Sequence, residues 1–225
     1  MSLPYDANTS YVQDAAPAIA ADDLNDLQRD DVLHHRILTG EDFYLCDDFT
    51  GTDIDLTKWI DGGAFAKLTI VNRAGASGAL RFLSTTDADN DGLDTKQLNI
   101  GTADFRFVSR VEVVSRSANQ TIPTMGLLGG AGDAYFSLAG TGNWIARCNA
   151  GNNATTIAAP GSGTFQVMDI RRKSGVITFL IDGVVAYEET VAINMTAEVL
   201  RLSAERAGAG NVDVNWDYAK LWFAR

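Results

Sequence analysis

The stretch Val167–Glu189, VMDIRRKSGVITFLIDGVVAYEE, constrains the fold more than any other part of this chain. Val167–Arg172 alternates in polarity until Lys173-Ser174-Gly175 interrupts it. Val176–Ile181 follows as a run rich in β-branched residues. Asp182-Gly183 is a two-residue hairpin signal, because glycine accepts positive φ freely and aspartate accepts it better than most residues. Val184–Glu188 then returns. Three strands joined by two tight turns predict an antiparallel β body.

The rest of the chain repeats this texture. Phe105–Arg116 alternates along its length, with Phe105, Phe107, Val111 and Val113 on one face and Arg106, Arg110, Glu112 and Arg116 on the other. Such a strand buries one face and leaves the other to water or a partner. Strands are also expected at Ala66–Asn72, Gly78–Leu83, Pro123–Leu128, Ala134–Leu138, Asn143–Asn149 and Glu198–Ala204, with the polar run Gly-Asn-Asn-Ala-Thr-Thr as a turn after Asn149. The closing strand, Asn211–Phe223, sets Val212, Val214, Trp216, Tyr218 and Trp222 on one face. About a dozen short strands with glycine-rich connections predict two packed antiparallel sheets, a jelly roll or a related sandwich. The 225 residues suffice for a full core, and 21 glycines against 4 prolines fit many turns.

Residues 1–40 read differently. A polar, turn-rich arm occupies positions 1–18, and a helix is expected over about 22–38, with Asp22 as its N-cap and Gly40 beyond its end. Its apolar stripe is thin: Leu24 and Leu27 share a face that meets Asp31 and His34 or His35 before Leu38. That stripe suits a neighbouring subunit or larger partner better than a core of its own. The chain therefore divides into an attachment or oligomerisation segment, 1–40, and a sandwich, 41–225. Adjacent helical residues point about 100° apart, so His34 and His35 do not converge on a metal, and they read as helix-end residues favoured by the dipole.

Charge narrows the function classes. The net charge is −11, of which residues 1–40 contribute −5 through seven Asp and two Arg. Phosphate backbones repel such a chain, so a nucleic-acid partner is not expected. No apolar run reaches the roughly 20 residues of a membrane span, and MSLPYDANTSY lacks the basic and apolar regions of a secretory signal. Cys46 and Cys148 make neither a disulfide framework nor a zinc site and are expected as free, buried thiols.

Two local patterns suggest ligands. Asp87, Asp89, Asp91 and Gly92 match the opening of a calcium-binding EF-hand loop, but Leu98 stands where the bidentate glutamate belongs and no helices flank the run. The loop is a weak calcium candidate, and an acidic surface turn is the plainer alternative. No other cofactor is expected. The cluster Gly129-Gly130-Ala131-Gly132-Asp133 lacks the Lys-Ser/Thr of a phosphate loop. Beyond it, Asp133, Tyr135 and Trp144, with Arg110 on the polar face of its strand, are candidates for holding a sugar: an aromatic plane for the apolar ring face and polar groups for hydroxyls. Core packing is the competing reading for each aromatic.

DDFTGTDIDLTKW, FRFVSRVEVV, TMGLLGGAGDAYFSLAG, the hairpin unit above and the closing VDVNWDYAKLWF occur in an order that resembles the concanavalin A-like lectin/glucanase superfamily. The resemblance covers about residues 43–225 and implies a two-sheet jelly roll. Laminarinase-like members carry acid and nucleophile as Glu-x-Asp-x-Glu on one strand. The matching stretch here, DAYFSL at Asp133–Leu138, contains Asp133 and no glutamate. Retaining hydrolysis needs two carboxyls about 5–5.5 Å apart. On that ground no catalytic residues and no enzyme are expected. The segment APAIAADDLNDLQ resembles a stretch that opens many bacteriophage tail-fibre and receptor-binding proteins. This second resemblance implies a virion protein: a homotrimer, docked to other virion proteins through its N-terminal segment, whose lectin-like sandwich binds a host-surface glycan. The alternatives are a decoration or connector subunit without ligand and a stand-alone carbohydrate-binding module.

Overall fold

Two antiparallel sheets stack face to face, and a continuous apolar core fills the space between them. The computed structural model describes residues 42–61, 67–74, 76, 78–85, 90–116, 123–129, 132–138, 142–148, 151–159, 161–190, 194–205 and 211–223. The chain divides into Met1–Gly40 and Glu41–Arg225, and every described residue belongs to the second unit. The expected helix over 22–38 lies outside the described residues, as do His34, His35 and the tail-fibre-like segment.

The strands are β1 (Asp42–Asp47), β2 (Ile60–Asp61), β3 (Leu68–Val71), β4 (Ala79–Ser84), β5 (Asn90–Asp94), β6 (Phe105–Ser115), β7 (Thr124–Gly129) and β8 (Ala134–Leu138), then β9 (Asn143–Cys148), β10 (Gly151–Ala158), β11 (Gln166–Lys173), β12 (Val176–Ile181), β13 (Val184–Thr190), β14 (Glu198–Glu205) and β15 (Val212–Phe223). One sheet runs β13-β12-β11-β6-β15-β4-β3, with β1 also paired to β15, which makes eight strands. The other runs β10-β9-β8-β7-β14-β5-β2, seven strands. This is the expected jelly-roll sandwich.

Alternation explains the core. Phe105, Phe107, Val111 and Val113 of β6 face inward, and so do Ala134, Phe136 and Leu138 of β8. Phe136 meets Phe179 of β12 edge to face, 5.2 Å between centroids, which joins the two sheets. Each such fully buried ring contributes about 1.5–3 kcal/mol relative to exposure. Both predicted hairpins form: Ser174 and Gly175 have φ of 51° and 82°, Asp182 and Gly183 of 51° and 79°. Asp182 also accepts the Val167 amide at 2.8 Å, which ties the tip of the second hairpin to the start of β11.

Three sequence expectations change. A bulge between Trp216 and Tyr218 adds one residue to β15 against β6, and an extra residue reverses which side chains face inward. Val212, Val214 and Trp216 are core, but beyond the bulge Ala219 and Leu221 take the inward positions, and Tyr218 and Trp222 do not share that face. The polar run Gly-Asn-Asn-Ala-Thr-Thr, expected as a turn, belongs to β10, because backbone pairing with β9 overrides its low β propensity. The calcium-loop pattern, described only from Asn90 onward, is not a loop there. Asp91 and Gly92 lie inside β5, paired with Ala204 and Ser203 of β14, and extended backbone cannot wrap an ion as an EF-hand loop does. Asp91 is buried and accepts the Lys67 amide. Asp87 and Asp89 lie outside the described residues, among which no cluster of metal-ligating side chains occurs.

The entry motif DDFTGTDIDLTKW is organised by Asp47. Its Oδ1 accepts the Phe49 amide at 3.0 Å and its Oδ2 accepts the Trp59 indole N–H at 2.7 Å. Phe49 is held at φ 52° and stacks on Trp59, 6.1 Å between centroids. A Cβ on Gly78 would lie 2.1 Å from the Phe49 carbonyl oxygen, so only glycine permits this approach. Asp47→Ala removes two charge-assisted bonds and leaves a buried indole N–H unpaired. It should lower unfolding free energy by about 2–3 kcal/mol, read as a shift of the urea midpoint without a change in slope.

On the outward side of the eight-stranded sheet, Glu112 is fully buried and fully used. It takes Arg73 Nε and Nη2 at 2.7 Å each, the Gly163 amide at 2.5 Å and Asn215 Nδ2 at 3.0 Å. The Arg73 hydrogen bonds hold its carboxyl below the ordinary 4.5, with the Gly163 and Asn215 bonds acting the same way against the opposing effect of burial. A carboxylate with a depressed folded pKa adds stability above its unfolded value and loses it as pH falls through the folded one. The wild type should therefore lose stability progressively below pH 4.5. Glu112→Gln should be less stable at pH 7 by about 2 kcal/mol and flatter below pH 4.5, measured by thermal unfolding from pH 7 to pH 3.

Candidate functional face of the seven-stranded sheet

Alternation on β8 that buries Ala134, Phe136 and Leu138 turns Tyr135 and Ser137 outward. Asp133 precedes them, half-buried, and its Oδ1 accepts the Gly129 amide at 3.0 Å. Asp133, Tyr135 and Ser137 thus fall at every second position of this run.

Strand register extends this face sideways. Asp94 of β5 lies opposite Arg201 of β14, Arg201 opposite Gly126 of β7, Gly126 opposite Tyr135 of β8, and Tyr135 opposite Arg147 of β9. The adjacent row is Gly92, Ser203, Thr124, Ser137 and Ile145. Five strands at 4.7–4.9 Å spacing span about 20 Å, the length of several sugar rings. Asp94, Arg201, Tyr135 and Arg147 make the first row a polar ridge interrupted at Gly126, and the second row carries three hydroxyls between Gly92 and Ile145.

The ridge is held at both ends. Arg201 Nε and Nη2 donate to Asp94 Oδ1 and Oδ2 at 2.7 and 2.6 Å, a bidentate pair that raises the arginine pKa. Arg147 donates to the Tyr135 hydroxyl, and its guanidinium carbon lies 5.5 Å from the ring centroid. Gly126, at φ 138°, lets β8 come this close: a Cβ there would be 2.5 Å from the Ala134 carbonyl oxygen and 2.8 Å from the Tyr135 Cβ. Gly126→Ala should cost about 1–3 kcal/mol and displace Tyr135, seen as a lower Tm and a changed tyrosine near-ultraviolet circular dichroism signal.

The four expected sugar-binding residues do not converge. Trp144 is core: its indole N–H donates to Gln166 Oε1 at 2.7 Å and its ring packs edge-on against Phe136. Arg110 is on the other sheet, pointing away from the core, where it pairs with Asp217 at 2.7 Å and covers the Phe165 ring at 4.6 Å. Asp133 precedes Tyr135 by two residues, and Tyr135 is itself only 7% exposed beneath Arg147. Arg147 and Arg201 were legible as outward positions in the alternating runs NWIARC and EVLRLSAE. Their assembly was hidden, because Asp94 sits beside the run that resembles a calcium loop.

Both cysteines are free, as expected; Cys148 is buried and Cys46 half-buried. Burial pushes the Cys148 thiol up to about 12, which keeps it protonated and unreactive. A depression of about 190 Å³, lined by Leu45, Cys46, Thr57, Lys58 and Lys96, draws on neither row of the face described above.

No protein-family model matches this sequence, and no curated protein is similar to it. Solved structures are similar in fold. One comes from work on endo-acting O-glycanases of the human gut microbiota that initiate mucin breakdown (TM-score 0.63, 10% identity, 80% of this chain and 98% of that one). A second is a non-specific endo-β-1,3(4)-glucanase from family GH16 (TM-score 0.63, 11% identity, 83% and 92%). A third is the endo-β-1,3-glucanase from Pyrococcus furiosus (TM-score 0.63, 12% identity, 81% and 95%). The sandwich is thus the concanavalin A-like jelly roll that the sequence resembles. The same neighbours correct the expectation of a non-enzymatic virion adhesin, decoration subunit or binding module: they are glycan-cleaving enzymes and not phage fibres. That expectation leaned on two local signals, a short segment outside the described residues and a missing glutamate on one strand, and neither samples the whole sandwich.

Proposed function

We propose that this protein is a carbohydrate-active enzyme that acts on internal linkages of a polysaccharide laid across the outward face of the seven-stranded sheet. The observation that carries the reading is the paired rows on that face, Asp94–Arg201–Gly126–Tyr135–Arg147 beside Gly92–Ser203–Thr124–Ser137–Ile145. Hydroxyls and guanidinium groups at strand spacing match the dense hydroxyl pattern of a glycan. The similar sandwiches described above, which include glucanases and O-glycanases, support the same reading.

Asp133 is the carboxylate assigned to acid–base chemistry, since it immediately precedes β8, two residues before Tyr135, and is half-buried with its Oδ1 held by the Gly129 amide. Arg147 and Tyr135 hold substrate hydroxyls, and Asp94 keeps Arg201 extended along the ridge. The test is incubation of the full chain with laminarin, mixed-linkage β-glucan and mucin, with products separated by chromatography. Oligosaccharide release is expected from at least one of them. Asp133→Asn should lower that rate at least about 100-fold, and Tyr135→Phe should chiefly raise KM. Retention of a polysaccharide without any product, or full activity of Asp133→Asn, would overturn the assignment.

A further inference from the structure

The outward side of the central strands of the other sheet lacks the acidic excess of the protein as a whole. On that face its three longest central strands, β6, β11 and β15, carry five cationic and four carboxylate side chains, a net of +1 in a chain of −11, since Arg172 of β11 faces the other way and donates to the Gly101 carbonyl. The excess is concentrated at one place. Arg106 of β6 and Arg171 of β11 lie directly opposite each other in register. Like charges so placed repel, and a single carboxylate serves both.

That carboxylate is Asp169, with 6% of its side chain exposed. Arg106 donates to it through Nε at 3.0 Å and Nη2 at 2.8 Å, and Arg171 through Nε at 2.9 Å and through Nη2. Each guanidinium spends two nitrogens on Asp169, and among the described residues neither Nη1 has a hydrogen-bond acceptor. The two side chains remain 36% and 45% exposed. Trp222 lies under Arg106, 5.3 Å from guanidinium carbon to ring centroid, and limits its freedom to swing away. The next carboxylate in the Arg171 row, Glu188, is two strands off and takes the Thr178 hydroxyl. Two neighbouring forks, ordered by a shared buried anion and with outward donors unspent, are suited to an oxyanion bridging them.

We propose that Arg106 and Arg171 form an anion-binding site on the outward face of the eight-stranded sheet, and that it takes the sulfate or carboxylate groups of an acidic polysaccharide. The site lies on the far side of the sandwich from the Tyr135 face. Its ligand being a glycan rests on the function proposed above. It would anchor the polymer there while the other face works on it.

The test is electrophoresis of the full chain at 0.15 M salt in native gels containing carrageenan, alginate or laminarin, with product release assayed in parallel. The wild type should be retarded by at least one of the two charged polymers. Asp169→Asn removes the competing internal carboxylate and should strengthen that retardation several-fold, which a merely structural salt bridge would not do. The triple variant R106Q/R171Q/D169N leaves no buried charge unpaired. It should lose at least tenfold in affinity for the charged polymer while its retardation by laminarin and its product release stay unchanged. Absence of retardation in both charged gels would overturn the proposal, as would equal retardation of the triple variant. Displacement by inorganic sulfate as effective as displacement by free polymer at equal charge would reduce the site to an adventitious anion site and overturn the glycan assignment. Loss of the enzymatic reading would appear separately, as charged-gel retardation without products from any glycan.

Discussion

The long antiparallel ladder between β6 and β15 sets everything else in this sandwich. It pairs Phe105 with Phe223 at one end and Ser115 with Asp213 at the other, and it lies at the centre of the eight-stranded sheet. Hydrophobic burial fixes its register: a slip by one residue would turn Phe105, Phe107, Val111 and Val113 to solvent. The bulge at Trp216–Tyr218 then divides β15 into two halves of opposite phase. One half gives Trp216 to the core, and the other gives Ala219 and Leu221 and turns Tyr218 and Trp222 out with the charged groups.

Charge is managed on the outer faces. An acidic chain that folds into two tightly packed sheets must place carboxylates on strands as well as in loops. Those on the outward faces are held by guanidiniums: Asp213 by Arg81, Asp217 by Arg110, Glu112 by Arg73, Asp169 by two arginines and Asp94 by Arg201. Arginine suits this role because its planar fork meets both carboxylate oxygens at once. Arg106 and Arg171 share one carboxylate on the eight-stranded sheet, whereas on the seven-stranded sheet Ser203, Thr124 and Ser137 line one row with hydroxyls. The two outward faces of one sandwich thereby differ in chemistry.

Much of the fold is legible in the sequence. Strict alternation in Phe105–Ser115 and the two hairpin signals around Val176–Ile181 are local properties with one physical meaning, and the strands form where these patterns occur. The candidate site was only partly readable. Tyr135 and Ser137 are two residues apart and share a face by strand periodicity alone, with Asp133 just before them. Trp144 looked like a sugar platform because a lone tryptophan in an alternating run fits either face until Gln166 and Phe136 are known to surround it. Asp94, Arg201, Gly126 and Arg147 meet only through pairing between strands as far apart in sequence as residues 94 and 201, and no local pattern carries that information.

The sequence by itself determined the fold class, the inward residues of most strands and the positions of the tight turns. These depend on side-chain polarity at a period of two and on which residues tolerate positive φ. The tertiary structure alone decided which strands are neighbours, where a bulge reverses the phase, and which charges meet. Those outcomes depend on packing two whole sheets against each other, so a buried tryptophan and a row of arginines acquire their roles only when distant strands are brought side by side.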